Sequence, residues 1–480
     1  MNASTETSVD AVTPSAGFTE RRESGRAARV HTPRSSHAPW EPAADRIDPV
    51  SLLEEQAESR VPELIPVRHG RMQVSPFTFY RGAALLMAAD LATTPTSGLT
   101  VQLCGDAHLS NFGLFGTPER NLAFDINDFD ETLPGPFEWD VKRLVASFEI
   151  AGRHRGFTDA ERRALLLAAA RGYREHMLGS AAASVLDAWY DTLDAEKVQA
   201  WVRDERKAAH AGKRQVKGFD AVVAKARTKD RIKAASKLVT RVDGQLRIVS
   251  DPPLIVPVED VVGDARSVQE TEALMRELLA QYQTTLVTER HPLSEYTYVH
   301  MARKVVGVGS VGTRAWILLL VGRDDSDLLL LQAKEAQASV LEHFLEPSKY
   351  TSHAERVVRG QRVMQASSDI FLGWQSATGD GGLERDFYLR QLHDWKGSVD
   401  PEVMVPSGAM LYARICGETL ARAHARSGDR VAIAAYLGKS DDFDEAVADF
   451  SEAYADQNDA DYRAFTDAIS SGRLEAAELI

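Results

Sequence analysis

Residues 99–132, LTVQLCGDAHLSNFGLFGTPERNLAFDINDFDET, decide how the rest of the chain is read. Leu99, Val101 and Leu103 alternate with polar residues until Gly105-Asp106 breaks the pattern, and Leu122, Phe124 and Ile126 alternate again before Asp128-Phe129-Asp130. That two-residue period is the mark of half-buried strands. The two strands are expected to deliver Asp106, His108, Asn111, Asp125, Asp128 and Asp130 to one end of a small sheet. Acids crowded in this way repel and desolvate one another unless a cation or a substrate compensates them, so the stretch has the layout of a site.

Composition limits what that site can serve. With 480 residues, 44% hydrophobic and 26% charged, the chain has the profile of a soluble globular protein of two or three domains. A formal charge of -14 argues against a dedicated nucleic-acid binder. Arg203 to Lys237 goes the other way, with twelve Lys or Arg against four Asp or Glu, and reads as a solvated helix face, with docking of an acidic or phosphorylated substrate as the alternative. Cys104 and Cys416 lie far apart in sequence, which suggests no disulfide framework. No apolar run is long enough to span a bilayer, and the N-terminus lacks a signal-peptide core. The expectation is a cytoplasmic protein with no membrane partner.

Residues 1–45, rich in Ser, Thr, Pro, Glu and Arg, read as a disordered tail. Residues 46–295 read as mainly helical around the core stretch, with Pro134-Gly135-Pro136 as a sharp turn and Thr158 with Glu161 as a capping box. Near its start, Arg68, Arg71 and Arg81 are candidates to bind phosphate oxygens through forked guanidinium contacts, with pairing to the acids of the core stretch or plain solvation as the standing alternative. Residues 296–400 change to a β-rich pattern of five strands, including Arg314 to Val321, Leu328 to Ala333, Ile370 to Trp374 and Phe387 to Leu392. Short helices are expected at Ala336 to Leu345 and Ser352 to Met364. Residues 401–480 return to helix: Met410 to Arg426, then one or two final helices over about Phe443 to Tyr454 and Ala460 to Ile469, packing on the helical part.

The β-rich part contains Gly307-Val308-Gly309-Ser310-Val311-Gly312. A dinucleotide-binding reading of this G-x-G-x-x-G needs a helix next, whereas Trp316 to Leu320 is strand-like and is followed by a polar hairpin. Strand, glycine turn, strand, hairpin, strand and then Lys334 is instead the arrangement of a kinase-type loop that covers phosphates, with its lysine on the third strand. Gly307, Gly309, Ser310, Gly312 and Lys334 are therefore nucleotide-binding candidates, and Glu342 and Glu355 are candidate partners for the lysine.

Gly105-Asp106-Ala107-His108-Leu109-Ser110-Asn111 resembles the catalytic loop of the aminoglycoside-phosphotransferase branch of the protein-kinase-like superfamily, where an Asp is followed five residues later by an Asn. That spacing lets a carboxylate reach an acceptor hydroxyl while an amide oxygen from the same loop reaches a phosphate-bound magnesium ion. The resemblance implies Asp106 as the catalytic carboxylate, with Asn111 and Asp128 as Mg²⁺ ligands and Asp130 assisting. Asp125 competes with Asp128 for the metal, but it lies within the strand alternation. Asp140, in the helix start Trp139 to Leu144, is implied to brace the loop, and His108 is read as a loop-bracing group. Cys416 to Ala425 resembles the helix that precedes the catalytic loop in those phosphotransferases, so the pieces fall in kinase order only when read cyclically. The expected fold is thus α+β and kinase-like with two lobes, circularly permuted.

From about residue 50 to 465 the chain also resembles, more closely, the bacterial family catalogued as domain of unknown function 2252. The runs that carry this are RMQVSPFTFYRG, CGDAHLSNFG, FDINDFDETLPGPFEWDVKRL, GVGSVGT, LLLQAKEA and YADQND. The activity expected from the residues is ATP- and Mg²⁺-dependent phosphoryl transfer to a hydroxyl on a small molecule or protein. Two alternatives stand beside it: a non-catalytic nucleotide-binding scaffold, and a metal-dependent phosphoesterase suggested by Asp106-Ala107-His108.

Overall fold

The computed structural model describes residues 17–199, 236–262, 268–288, 291–305, 307–378, 382–392 and 397–477. The fold is α+β. Its strands are Thr100–Leu103 (β1), Phe112–Gly116 (β2), Leu122–Ile126 (β3), Leu133–Pro136 (β4), Val239–Val242 (β5), Gln245–Ile248 (β6), Ile255–Pro257 (β7), Thr297–Lys304 (β8), Ala315–Val321 (β9), Leu328–Ala336 (β10), Gly373–Thr378 (β11), Glu384–Gln391 (β12) and Gly397–Ser398 (β13).

Six of them form one antiparallel sheet in the order β11-β12-β10-β9-β8-β7. The unbroken apolar run of β9 follows from cover on both faces. Leu318 and Leu320 pack with Met275 and Tyr282 of the Val268–Gln283 helix, whereas Ile317 and Leu319 join Leu238 and Ile248 around the β5–β6 hairpin. A strand with only one face covered would have to alternate.

Several expectations change here. The sheet gains β7 as a sixth strand, and the Val268–Gln283 helix packs on β11, so the β-rich unit begins well before residue 296. The strand expected at Ile370 starts at Gly373, because Asp369 turns the chain through its backbone oxygen to Leu372 N (3.0 Å) and its carboxylate to Phe371 N (2.9 Å). The helix expected over Ala336 to Leu345 shrinks to a 3-10 turn, Val340–His343, since β10 continues through Ala336. The two strands of the core stretch belong to different sheets: β1 pairs with β4, and β3 pairs with β2. Pro134 and Pro136 thus lie in a two-stranded ribbon rather than a turn, and such a ribbon has outer edges where missing N–H groups are tolerated.

The expected disordered tail is corrected as well. Residues 1–16 lie outside the described residues, but Phe18–His31 is a helix. Gly25 lets its backbone meet the Arg430–Leu437 helix, where a Cβ would come 2.0 Å from Ala432 O. Arg29 donates to Tyr436 O (2.7 Å), and Arg34 donates to Leu437 O and pairs with Asp442. These arginines satisfy the terminal carbonyls of that helix. Order here comes from capping and close approach, which a count of apolar residues does not register. The basic run Arg203 to Lys237 lies, apart from Ser236 and Lys237, outside the described residues. Of the one or two closing helices expected, there is one, Asp442–Ser470. The polar interruption is satisfied in place: Arg153 holds Asp456 (2.6 Å) and Asp459 (3.3 Å) at the surface, and buried Asn458 donates to Pro76 O (3.2 Å).

The helical part is built on two long helices, Asp159–Ala182 and Pro406–Ser427. They approach so closely that a Cβ on Gly417 would lie 2.1 Å from Ala169 O, and one on Gly172 would lie 2.6 Å from Arg414 O. Among the described residues no helix is long and apolar enough to cross a membrane. Gly417→Ala should destabilise the fold by about 1–3 kcal/mol in urea unfolding, as overpacking does. Helix propensity alone would make the same change stabilising by about 1 kcal/mol, so the sign of the shift tests the close approach.

Candidate functional site

The loop between β1 and β2 is fixed from behind. Asp140 accepts hydrogen bonds from Cys104 N (2.7 Å) and Gly105 N (3.0 Å), with His424 Nε2 at 3.2 Å and Tyr173 OH against His424 Nδ1 at 2.9 Å. Gly105 has φ +83, and a Cβ there would meet Glu131 O at 2.3 Å. Only glycine fits a position that is both left-handed and this close to another backbone. The next residue, Asp106, is gripped at Oδ1 by the Arg143 guanidinium (Nη2 at 2.6 Å), which itself lies 4.3 Å over the Tyr80 ring. Burial raises the Asp106 pKa above the ordinary carboxylate value despite the opposing charges of Arg143 and Arg81. Five residues on, Asn111 folds back, its Nδ2 donating to Asp106 O (2.8 Å). Asn127 N then donates to Asn111 O (2.9 Å), which draws the Asp128–Asp130 segment against the same loop.

Strand register brings in the second half. Lys334 on β10 is opposite Tyr388 on β12. The two side chains converge on one carboxylate: Lys334 Nζ forms an ion pair with Asp130 Oδ2, and Tyr388 OH donates to Asp130 Oδ1 (2.7 Å). Ser310 Oγ, from the glycine turn, donates to Asp130 Oδ2 at 3.3 Å. Arg390, on the same face as Tyr388, donates to Asn127 O (3.2 Å). Burial would raise the Asp130 pKa, but the Lys334 charge and the Lys334 and Tyr388 hydrogen bonds hold it below the ordinary value. Asp128 is raised, first by burial and then by the negative charge of Asp130. Two carboxylates thus share one lysine. Buried Arg356 ties the segment to the sheet through Thr132 O (2.6 Å), Asp130 O (2.9 Å) and Gln337 O (2.8 Å).

The glycine turn is clamped by its carbonyls. Arg60 Nη1 donates to Gly309 O (2.9 Å), Arg71 Nη1 donates to Gly307 O (2.6 Å), and Val61 N donates to Gly312 O (2.8 Å). Gly307 and Gly312 take positive φ values of 68 and 94. The turn borders two clefts. One, of about 640 Å³, is lined by Asp106, His108 and Asp130; the other, of about 580 Å³, is lined by Lys334, Gln332 and Gln391. Arg81, Asn111, Asp128, Gly307 and Ser310 line both.

Not every candidate reaches this junction. Asp125 sits opposite Gly113 on β3, its Oδ1 accepting from Ile126 N (2.8 Å), and burial pushes its pKa up to about 7. Glu355 and Glu342 pair with Arg359 (3.3 Å) and Arg356 (3.7 Å), so the lysine's partner is Asp130 instead. His108 is buried with Nε2 3.7 Å from Asp106 Oδ2, and burial together with Arg81 and Arg143 pushes its pKa well down, so it is neutral. Arg68 is used structurally, donating to Gln56 Oε1 (2.6 Å) and Gly82 O (2.9 Å). Arg143, Tyr388, Arg390 and Arg60 went unassigned in the sequence. Arg143 was within reach, because it follows Asp140 by three residues on one helix and so shares its face. Tyr388 and Arg390 depend on a register that no sequence pattern sets.

The sequence profile of the family described as an uncharacterized protein conserved in bacteria, domain of unknown function 2252, matches residues 60–468. The chain belongs to this family. The domain-of-unknown-function-2252 match starts at the Arg60 clamp and takes in both halves of the junction, leaving the Phe18–His31 helix outside. No curated protein and no solved structure gives a significant match.

Removing Lys334 leaves Asp128 and Asp130 without their shared cation. Lys334→Met should cost about 3 kcal/mol in urea unfolding at neutral pH, and adding Asp130→Asn should recover part of that loss, as coupled sites do. Because the Asp130 pKa is depressed, the pair's contribution should persist at neutral pH and fade only as the pH falls below the ordinary carboxylate range. Equal stability of Lys334→Met and wild type would rule out the pair as a structural tie.

Proposed function

We propose that the chain is a kinase-like phosphotransferase that uses ATP and Mg²⁺ to phosphorylate a hydroxyl acceptor. The observation that carries this reading is the meeting of Lys334 and the glycine turn at Asp130, in the segment that Asn127 N draws against the Asp106–Asn111 loop, across 204 positions between Lys334 and Asp130. The permuted order is supported at the junction it requires: the Pro406–Ser427 helix ends against β1, with Gln102 N donating to Ser427 Oγ at 3.2 Å.

The donors suit magnesium. Asn111 spends its amide nitrogen on Asp106 O, which leaves its oxygen, and Asp128 is a partly buried carboxylate that lines both clefts with it. Among the described residues no three His, Cys, Asp or Glu side chains form a metal cage. Mg²⁺ held between one or two carboxylates and nucleotide phosphates needs none. When bound, it would supply charge neutralisation at the phosphates.

The chain's own residues would then act as follows. Lys334 and the 307–312 turn hold the phosphates in the 580 Å³ cleft, and the acceptor enters the 640 Å³ cleft beside Asp106. The acceptor oxygen bonds to the γ-phosphorus as the bond to the β,γ-bridging oxygen breaks, ADP leaves with that electron pair, and the hydroxyl proton passes to Asp106 Oδ2. Arg143 holds Oδ1 and so aims Oδ2, while burial keeps the carboxylate more basic than one in water.

A second reading, nucleotide binding without turnover, is favoured by the engagement of Lys334 with Asp130. Thermal unfolding with Mg-ATP tests both. Saturation at a hundredfold over Kd should add about 2.7 kcal/mol and raise Tm by a few degrees, with the rise lost in Asp128→Ala. Absence of any rise at millimolar Mg-ATP would overturn both readings, and a rise without ATP consumption across a panel of hydroxyl acceptors would leave only the second. For a turning-over enzyme the acid limb of kcat/KM should lie above the ordinary carboxylate range, because the Asp106 pKa is raised in the free chain and its ionised form is the base. Arg143→Gln removes an influence that lowers this pKa and should move the limb to still higher pH.

A further inference from the structure

The three arginines near the start of the chain have separated in the fold. Arg68 holds Gln56 and Gly82 through one nitrogen, with its other donors buried and unpartnered, and Arg71 holds Gly307 O; neither lines a cleft. Arg81 is left over. It sits at the end of the Pro76–Gly82 helix, a short helix held firmly at its start by the Ser75–Thr78 capping box. The glycine turn rests on its backbone, where a Cβ on Gly309 would lie 3.1 Å from Arg81 O. Its Nε is buried without a hydrogen-bond partner, and no carboxylate among the described residues forms an ion pair with it. It is nonetheless one of the five residues that line both clefts, and Asp106 and Asp128 are near enough for their charges to act on it.

A partly buried guanidinium with a buried donor unfilled is costly. Other arginines of this site, though Arg60 and Arg356 also leave a buried Nε unpartnered, are engaged through further donors: Arg143 by Asp106 and Tyr80 O, Arg60 by Gly309 O, and Arg356 by three carbonyls. What would complete Arg81 is an anion with several acceptor oxygens lying between the two clefts. Asp106 and Asp128 do not serve, although they are close.

Resting on the phosphotransferase reading, we infer that Arg81 is a catalytic residue of this site whose guanidinium binds the transferring γ-phosphoryl group as it passes from the nucleotide cleft to the acceptor cleft. The planar fork matches two phosphoryl oxygens. The position at the shared wall makes the contact strongest when the phosphoryl lies between donor and acceptor oxygens, where charge stabilisation lowers the barrier. Lys334 and the glycine turn grip what remains as ADP, whereas Arg81 grips what leaves.

The test compares Mg-ADP with Mg-ATP in thermal unfolding of the full chain, for wild type, Arg81→Met and Arg81→Lys, together with single-turnover ATP consumption. Wild type should be stabilised more by Mg-ATP than by Mg-ADP. Arg81→Met should keep the ADP shift, lose the ATP excess and consume ATP at least a hundredfold more slowly. Arg81→Lys, which retains charge without the fork, should fall between, and it carries the test if Arg81→Met does not fold. An undiminished ATP excess and rate in either folded variant would overturn the role of Arg81 while leaving the phosphotransferase reading intact. No shift with either nucleotide in wild type would overturn both.

Discussion

The ion pair between Lys334 and Asp130 is the constraint on which the arrangement depends. It joins a strand of the six-stranded sheet to the loop that follows β3, two segments 204 positions apart. Lys334 is almost fully buried, and its pKa is raised because Asp130, Tyr388 and Asp128 outweigh the cost of burial. Breaking such a pair leaves an uncompensated buried charge, a larger penalty than the net worth of the pair itself. The same contact recruits Tyr388 and Ser310, so one carboxylate fixes the positions of β10, β12 and the glycine turn together.

Around that tie the site is held by groups that do no chemistry in the proposed reaction. Asp140 binds the backbone leading into Asp106, with His424 and Tyr173 behind it. Arg143 fixes one oxygen of Asp106, and Arg60 and Arg71 hold the carbonyls of the glycine turn. Rigid support of this kind is what orientation-based catalysis needs, since small displacements of the reacting groups cost orders of magnitude in rate. Membership of the domain-of-unknown-function-2252 family covers this whole assembly, from Arg60 to beyond the Tyr454 to Asp459 run.

What the sequence made legible was local. The alternation of β1 and β3, the glycine turn followed by a strand, the capping box at Thr158 and Glu161, and the long helix ending near Ser427 all follow from short-range periodicity and turn chemistry. What it hid was pairing. That β1 joins β4 rather than β3, that Tyr388 faces Lys334, and that Asp130 rather than Glu342 or Glu355 meets the lysine are matters of register and long-range approach. The Phe18–His31 helix was hidden for another reason. Its order comes from arginines capping a helix more than 400 positions away, not from apolar surface of its own.

A crystal structure of the full chain with Mg²⁺ and a non-hydrolysable ATP analogue is the most direct test of the claim that two distant halves make one nucleotide site. Phosphates should lie within hydrogen-bond reach of Lys334 Nζ and the 307–312 turn, with the metal on Asp128 and Asn111. Nucleotide bound elsewhere, or no nucleotide at millimolar concentration with the Lys334–Asp130 pair unchanged, would contradict that claim.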